Sequence, residues 1–510
     1  MRKSLFIIGL IFLLSGTVEA GEDERALRPY RCVFRINTTI SAGSRTPEEI
    51  VEMAEEQGID VLVFSDQFLV RGEWGIPGFR GLFKFTKSRP SVMSYGVSNY
   101  LARLRKIQRA HPDLVIVPGL DVAPYYYWKG WPGHKDFSVH QWSEQLTVVG
   151  LENPARIRRM PVTANPDGPR RWTIMSFVKL LPGLLVLLGI WIRRRKGFEY
   201  TDEQGTQKDI RDPKMRWLGL AVAAGGFLLL LSGYPFSEIV VWNQYSPTDG
   251  PEPFQQYLDW LSTQEGALAF WSAPEITHEE TVDGVRLVTR PYLSHVEGTS
   301  GAAGFAAIYA DARTACKPGE MWDRTLVEYC RGERKSPLHV VSESDYHTGE
   351  RLDARETILL MPDPSRESVV CALTTGRMYA RARGRGGRIE LLDFSVSEGD
   401  GRGHGFMESV RTDSQKLKLY VKIRARLAEK TVDTVFLQLI QEKRVKGEEK
   451  ILVERRKSSE EWSGVFKVRR TDPERMTYFR LRLKGRRTGE IVTNPIFIYP
   501  GESADEYESQ

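Results

Sequence analysis

Cysteine is scarce, with four residues in 510, and this excludes a disulfide-dense scaffold. Charge of one sign is also scarce. A net charge of +6 over the whole chain is too dilute to point to nucleic acid by itself, and no nucleic-acid partner is expected. Glycine (45) and proline (27) stand at ordinary usage, which excludes a collagen-like or low-complexity chain. Long apolar runs are few, and a mean hydropathy of −0.35 excludes a polytopic protein built mostly of spans. Aromatic residues are present in number: 12 Trp, 22 Phe and 19 Tyr. At roughly 100 to 200 residues per domain, the length accommodates two to four units. Of the cysteines, Cys316 and Cys330 flank a short loop plus helix and could pair in an oxidising compartment; Cys32 and Cys371 read as isolated core residues.

The few apolar runs are informative. Arg2 and Lys3 precede an apolar stretch from Leu5 to Leu14, followed by Val18-Glu19-Ala20. This reads as a secretory signal peptide over 1–20, with an uncleaved anchor as the alternative. In the middle, 172–192 is interrupted only by Lys179 and Pro182, and 217–234 carries no charge. Both have the length of membrane helices, with two buried core helices as the alternative. The stretch 193–216 holds eight Lys or Arg against five acids, a net charge of +3. A basic loop between two spans belongs in the cytoplasm. With an exported N-terminus, both globular parts then stand outside the inner membrane of a bacterium, on the periplasmic side. Arg156, Arg158, Arg159, Arg170 and Arg171 pull against this orientation, which the signal peptide sets before they emerge.

On either side of this hairpin, apolar strand-like runs alternate with amphipathic segments. Ile59 to Phe64, Leu114 to Val117, Ala267 to Trp271 and Leu338 to Val341 read as buried strands; Pro47 to Gln57, Tyr100 to Ala110, Pro253 to Thr263 and Met321 to Cys330 read as helices. Such alternation predicts a parallel α/β sheet or barrel. Further on the period becomes two: Leu417, Leu419, Val421, Ile423, Ala425 and Leu427 alternate with Lys418, Tyr420, Lys422, Arg424 and Arg426. That pattern predicts a small antiparallel β-sandwich over 396–500. Between 411 and 490 it carries 23 Lys or Arg against 12 Asp or Glu, a solvated face or a surface resting on anionic headgroups.

Functional residues of α/β barrels gather where strands run into loops. Those positions give Arg35 and Asn37, Asp66 and Gln67, Asp121, Ala273 with Glu275 just beyond it, and Asp345 with His347. Asp345-Tyr346-His347 is the strongest local signal, because alternate residues share a face and can share a metal. After Asp121 the run Tyr125-Tyr126-Tyr127-Trp128, with Trp131, would line the mouth: as a stacking platform, as a belt at the bilayer interface, or as a packed loop.

Arg35-Ile36-Asn37-Thr38-Thr39-Ile40-Ser41-Ala42-Gly43 resembles the His-x-His-Thr-Thr-x-Ser-Asp-Gly opening of the polymerase and histidinol phosphatase (PHP) superfamily. Ser65-Asp66-Gln67 is similar to its Thr-Asp-His strand end, and Pro118-Gly119-Leu120-Asp121 to Pro-Gly-x-Glu. Phe270-Trp271-Ser272-Ala273-Pro274 resembles Phe-Trp-Ala-His-Pro, and Ser344-Asp345-Tyr346-His347 the closing Asp-x-His. Thr493-Asn494-Pro495-Ile496-Phe497 resembles the last strand of the β-sandwich of one branch.

The resemblance implies a distorted (β/α)7 barrel, interrupted here by a two-helix transmembrane hairpin. Its layout would be signal peptide 1–20, first barrel half 21–160, hairpin 161–236, second half 237–395, sandwich 396–500 and acidic tail 501–510. It also implies two or three metal ions (Zn, Mn or Fe) and phosphoester hydrolysis. The ligands depart from that pattern. Arg35 and Asn37 stand in place of two His, Ala42 in place of Asp, and Gln67 and Ala273 in place of His; the His expected near Leu146 to Val149 is absent. Asp121, Asp345 and His347 remain as metal ligands for at most one divalent ion, unless His134, His140 or His295 rebuild a site. Arg35, Asn37, Asp66, Gln67 and Glu275 line the pocket, and a cation at Arg35 could instead hold an anion through its fork. Two functions follow. One is a non-catalytic binding or scaffolding module, with an anionic lipid or a phosphorylated envelope ligand as candidate partner. The other is a metal-dependent phosphoesterase of the PHP type acting on an envelope substrate.

Overall fold

A computed structural model describes residues 27–501, apart from 81, 196–197, 202–206, 211–212, 240, 350, 400, 402, 429–431, 455–459 and 471. The expected signal peptide and the acidic tail beyond Gly501 lie outside the described residues.

Seven strands close into a barrel: β1 (Arg28–Ile36), β2 (Val61–Phe64), β3 (Val115–Val122), β4 (Gln145–Val149), β5 (Leu268–Ser272), β6 (Gly304–Ile308) and β7 (His339–Tyr346). Each pairs with the next, and β7 returns to β1 with Glu343 opposite Phe34. β2 and β3 are buried along their whole length, as strands covered on both faces must be. Helix α1 (Pro47–Gln57) packs outside. Thr46 caps it by accepting from the Glu49 N–H, Glu49 caps Thr46 in return, and Gly58 ends it at φ 62°. Helix α2 (Val97–Ala110) leads into β3.

The barrel departs from a (β/α)7 arrangement. The seams on both sides of β4 are antiparallel, whereas β1–β2, β2–β3, β5–β6, β6–β7 and β7–β1 are parallel. Antiparallel neighbours need no crossover helix. The link from β3 to β4 is accordingly built of short strands, Tyr127–Lys129 and Ser138–His140, and helices are fewer than the expectation had them.

β1 also joins the barrel to the C-terminal part. Its first half, Arg28 to Cys32, pairs with β8 (Arg355–Met361), which continues through β9 (Met378–Arg383) into one sheet of a sandwich. The facing sheet holds β10 (Gly387–Glu398), β11 (Lys416–Leu427) and β12 (Glu460–Arg469). Leu417, Leu419, Val421, Ile423 and Ala425 of β11 are buried against Val435, Leu437 and Leu439 of the other sheet. Polar pins hold barrel and sandwich together. Arg480 Nε lies 2.8 Å from Asp323 Oδ1, both fully buried. The Asn494 amide accepts from Val340 N at 2.7 Å and donates to Met378 O at 3.0 Å. The four cysteines are free, Cys316 and Cys330 included; Cys32 is buried as expected, whereas Cys371 is exposed on its helix rather than in the core.

Between β4 and β5 the chain forms helices α3 (Pro182–Arg194), preceded by a helical turn at Ile174–Val178, and α4 (Pro213–Ser232). Ile174–Arg194 and Pro213–Ser232 are long and apolar enough to cross a membrane. Only 11% of the most apolar 18 residues of each is buried, so they are not core helices of the globular part. The two helices touch through glycine. A Cβ on Gly189 would lie 2.3 Å from Ala223 N, and one on Gly219 2.6 Å from Arg193 N. Phe198–Thr201 and Gln207–Ile210 pair as an antiparallel ribbon beyond the helix ends.

Candidate functional site

The strand ends that bear the sequence motifs meet at one mouth of the barrel. Arg35 sits where the register of β1 shifts against both neighbours, between Phe34 and Ile36. It adopts φ 68°; Ala273, just past β5, has φ 44° and Asp345 of β7 has φ 50°. Such left-handed backbone is uncommon outside glycine and persists where the surroundings over-determine it.

The Arg35 side chain is the centre of the site. Nε donates to Asp121 Oδ2 at 2.9 Å, Nη2 donates to Gln145 Oε1 at 2.5 Å, and Nη1 lies 2.8 Å from Asp345 Oδ1 and 3.5 Å from Glu343 Oε2. Arg35, Asp121 and Glu343 are 6%, 2% and 0% exposed. Each nitrogen of the guanidinium has a partner, so the expectation that its fork holds an anion is corrected: the protein's own carboxylates occupy it. Burial works against the Arg35 charge, but Asp121, Asp345 and Glu343 outweigh it and hold the group protonated. Burial pushes Glu343 from its ordinary 4.5 up to about 8 against the pull of Arg35. Asp345 goes the other way. Its partial burial is outweighed by Arg35 and His347, which hold it well below the usual carboxylate range.

The other expected residues divide around this centre. His347 Nε2 lies 3.1 Å from Asp345 Oδ1, and both side chains are about one-third open to solvent. Asn37 is fully buried; its backbone N–H donates to Tyr346 O at 2.9 Å and its Oδ1 accepts from Ser41. Asp66 anchors the loop after β1, accepting from Thr38 N at 2.8 Å, Thr38 Oγ1 at 2.9 Å and Ser41 Oγ at 2.6 Å. Gln67 bridges to Asp121 through backbone. Glu275 is used elsewhere: it accepts from the backbone N–H of Arg313 and Thr314, each at 2.8 Å, and fixes that loop. His295 pairs with Glu144 at 2.9 Å, and His140 stacks on Tyr127. Tyr125, Tyr126 and Tyr127 are buried, so the aromatic run is a packed loop there, while Trp131 is exposed.

The sequence reading missed Glu343, Gln145 and Thr147. Thr147 donates to Asp121 Oδ1 at 2.9 Å and lies 2.8 Å from Ser272 Oγ. Glu343 could have been found by stepping two residues back from Asp345 on the same strand.

The residues do not fit the metal centre that the resemblance implies. Arginine offers no lone pair and brings a fixed positive charge among the carboxylates. Among the described residues, no group of three or more His, Cys, Asp or Glu is disposed to hold an ion.

No protein-family model and no curated protein matches the chain. Solved structures similar to it include a two-domain protein from Bacteroides vulgatus described as containing a PHP-like metal-dependent phosphoesterase. It is 10% identical at a TM-score of 0.33, over 92% of this chain and 95% of that one. A protein from Bifidobacterium adolescentis described as a metal-dependent phosphoesterase is 11% identical at a TM-score of 0.27, over 63% and 88%. An amidohydrolase from Chromobacterium violaceum is 12% identical at a TM-score of 0.23, over 62% and 87%.

Proposed function

We propose that the chain is a membrane-anchored, extracytoplasmic PHP-like protein that binds or scaffolds rather than hydrolyses. One observation carries this reading: the Arg35 guanidinium sits among Asp121, Glu343 and Asp345, within 2.8 to 3.5 Å of each. Two-metal hydrolysis needs bridged cations to generate hydroxide and to clamp the reacting oxygens. Here a non-ligating cation neutralises the acids, and Ala42, Gln67 and Ala273 leave three further ligand positions without a carboxylate or imidazole. Anchoring is supported by the two outward-facing apolar helices, and the extracytoplasmic side by the basic stretch between them.

The hydrolase reading keeps one observation in its favour, the Asp345–His347 pair facing solvent beside the mouth. Elemental mass spectrometry of the detergent-purified protein, beside the His347→Ala variant, separates the two. The binding reading expects less than about a tenth of a metal equivalent in both samples. Two or more equivalents, lost in the variant, would overturn the binding reading and make the metal-dependent phosphoesterase the reading to assay.

A further inference from the structure

A second site lies away from the barrel mouth, where the helix pair leaves the globular part. A cleft of about 960 Å³ opens between the base of the helices and the ribbon of Arg71–Gly75 and Lys84–Ser88. Its charge is one-sided: Arg80, Lys84, Arg170 and Lys179 line it against the single carboxylate of Glu73. Glu73 is already shared by Lys84 at 3.0 Å and Arg71 at 3.3 Å. Arg80 is held in place by stacking, with its guanidinium carbon 3.8 Å from the centre of the Tyr245 ring. The lining holds more cations than the one carboxylate balances, Arg80 and Arg170 above all, which favours an anion, and stacking on Tyr245 fixes the plane of the Arg80 guanidinium.

The surroundings identify the class of anion. Trp172, Tyr234 and Trp242 line the same cleft and are 57%, 50% and 38% exposed. Exposed Trp and Tyr at the end of apolar helices mark the headgroup level of a bilayer. On one side of that level the apolar surface continues outward through Ile174, Phe177 and Leu181, which are 85%, 62% and 55% exposed. A ligand filling the cleft with a phosphate would therefore have its acyl chains running along the helices.

We propose that this cleft holds the phosphate headgroup of an anionic phospholipid from the leaflet on the barrel's side. The inference rests on the reading that α3 and α4 span the membrane, and it adds a partner and a place for it. The cleft lies apart from Arg35, so the barrel mouth is not the lipid site.

The test uses the full chain, reconstituted in nanodiscs of phosphatidylcholine with or without phosphatidylglycerol and released for native mass spectrometry. The native protein should retain phosphatidylglycerol over phosphatidylcholine. The Arg80→Gln/Arg170→Gln double variant should lose that preference by on the order of tenfold, since each cation near a headgroup contributes a several-fold gain. Arg80→Lys, which keeps the charge, should retain most of it and so separates charge loss from misfolding. Equal retention of the two lipids, or a preference unchanged in the double variant, overturns the proposal. Displacement of the bound lipid by soluble glycerol phosphate would assign the cleft to a free phosphate ester and overturn the lipid assignment. Resistance to alkaline carbonate extraction is scored separately: extraction of the native chain would overturn the membrane reading itself, whichever lipid is retained.

Discussion

At the scale of single residues, the barrel mouth is an electrostatic problem solved by one side chain. Three carboxylates converge, and Arg35 is the counter-charge that reaches all of them. Removing one partner of a buried charge set costs more than the set contributes, about 3 to 5 kcal/mol, because the other partners stay buried without compensation. Arg35→Met should therefore lower the melting temperature by several degrees at pH 8. The loss should shrink at pH 5, where the freed acids can take up protons; an equal loss at both values would mean that the charge is not what Arg35 supplies. Arg35→Lys should rescue little, since an ammonium lacks the fork that serves Asp121, Asp345 and Gln145 together. Glu343 gives a second prediction. Its folded value of about 8 exceeds its ordinary 4.5, so between those values the folded chain holds a proton that the unfolded chain releases. Stability from this group is highest below pH 4.5 and declines as pH rises toward 8. Glu343→Gln removes the decline. The melting temperature of the variant minus that of the native chain should climb between pH 5 and pH 8, and a flat difference would show Glu343 ionised throughout. Asp345 acts with the opposite sign, its contribution being lost only as pH falls below 3.8.

At the scale of elements, the sequence exposes periods but not directions. The run Val61 to Phe64 and the alternation along Leu417 to Leu427 could be read directly, because burial on two faces or on one writes itself into the spacing of apolar residues. The reversal of β4 could not be read, since a strand's pattern is the same in either direction. That reversal explains part of what was missed at the site. The resemblance places a ligating His between Leu146 and Val149 of β4, whereas its polar contributions are Gln145 at the rim and Thr147 against Asp121. Glu343 lies beyond the apolar run Leu338 to Val341 that marks β7 in the sequence, on polar residues through which the strand runs on to Tyr346. Close helix contact was equally silent: three glycines of the hairpin look alike in sequence, yet their surroundings differ. Side chains at Gly189 and Gly219 would meet backbone at 2.3 and 2.6 Å, whereas nothing lies within 4 Å of Gly225. Gly189→Leu and Gly219→Leu should each split α3 from α4 and lower thermal stability in detergent, while Gly225→Leu should be near neutral. If all three behave alike, the helices do not pack as described.

At the scale of the whole molecule, the barrel constrains any membrane topology more strongly than the charges do. β4 precedes the helix pair and β5 follows it, yet they are hydrogen-bonded neighbours, with Leu268 opposite Val149 and Ser272 opposite Gln145. Both ends of the inserted segment must therefore lie on one side of any membrane that the helices cross, which requires an even number of crossings. The two apolar helices satisfy this, and the barrel closes only if they return as a pair. What the barrel leaves open is which side it stands on. The stretch 193–216 carries a net +3, and the arginines at 156, 158, 159, 170 and 171 pull the other way, so the inside-positive bias is contested. The chain offers its own reporter, because Cys371 is an exposed native thiol whereas Cys32 and Cys316 are buried. A membrane-impermeant maleimide applied to cells with a permeabilised outer membrane should label Cys371. It should fail to label a cysteine introduced by Thr206→Cys in a Cys371→Ser background until the inner membrane is opened. The reverse pattern would place the barrel in the cytoplasm and remove the extracytoplasmic half of the proposed function. Labelling of both thiols in intact inner membrane would mean that the helix pair lies along the surface without crossing it, the one arrangement in which neither the barrel nor the charges decide a side.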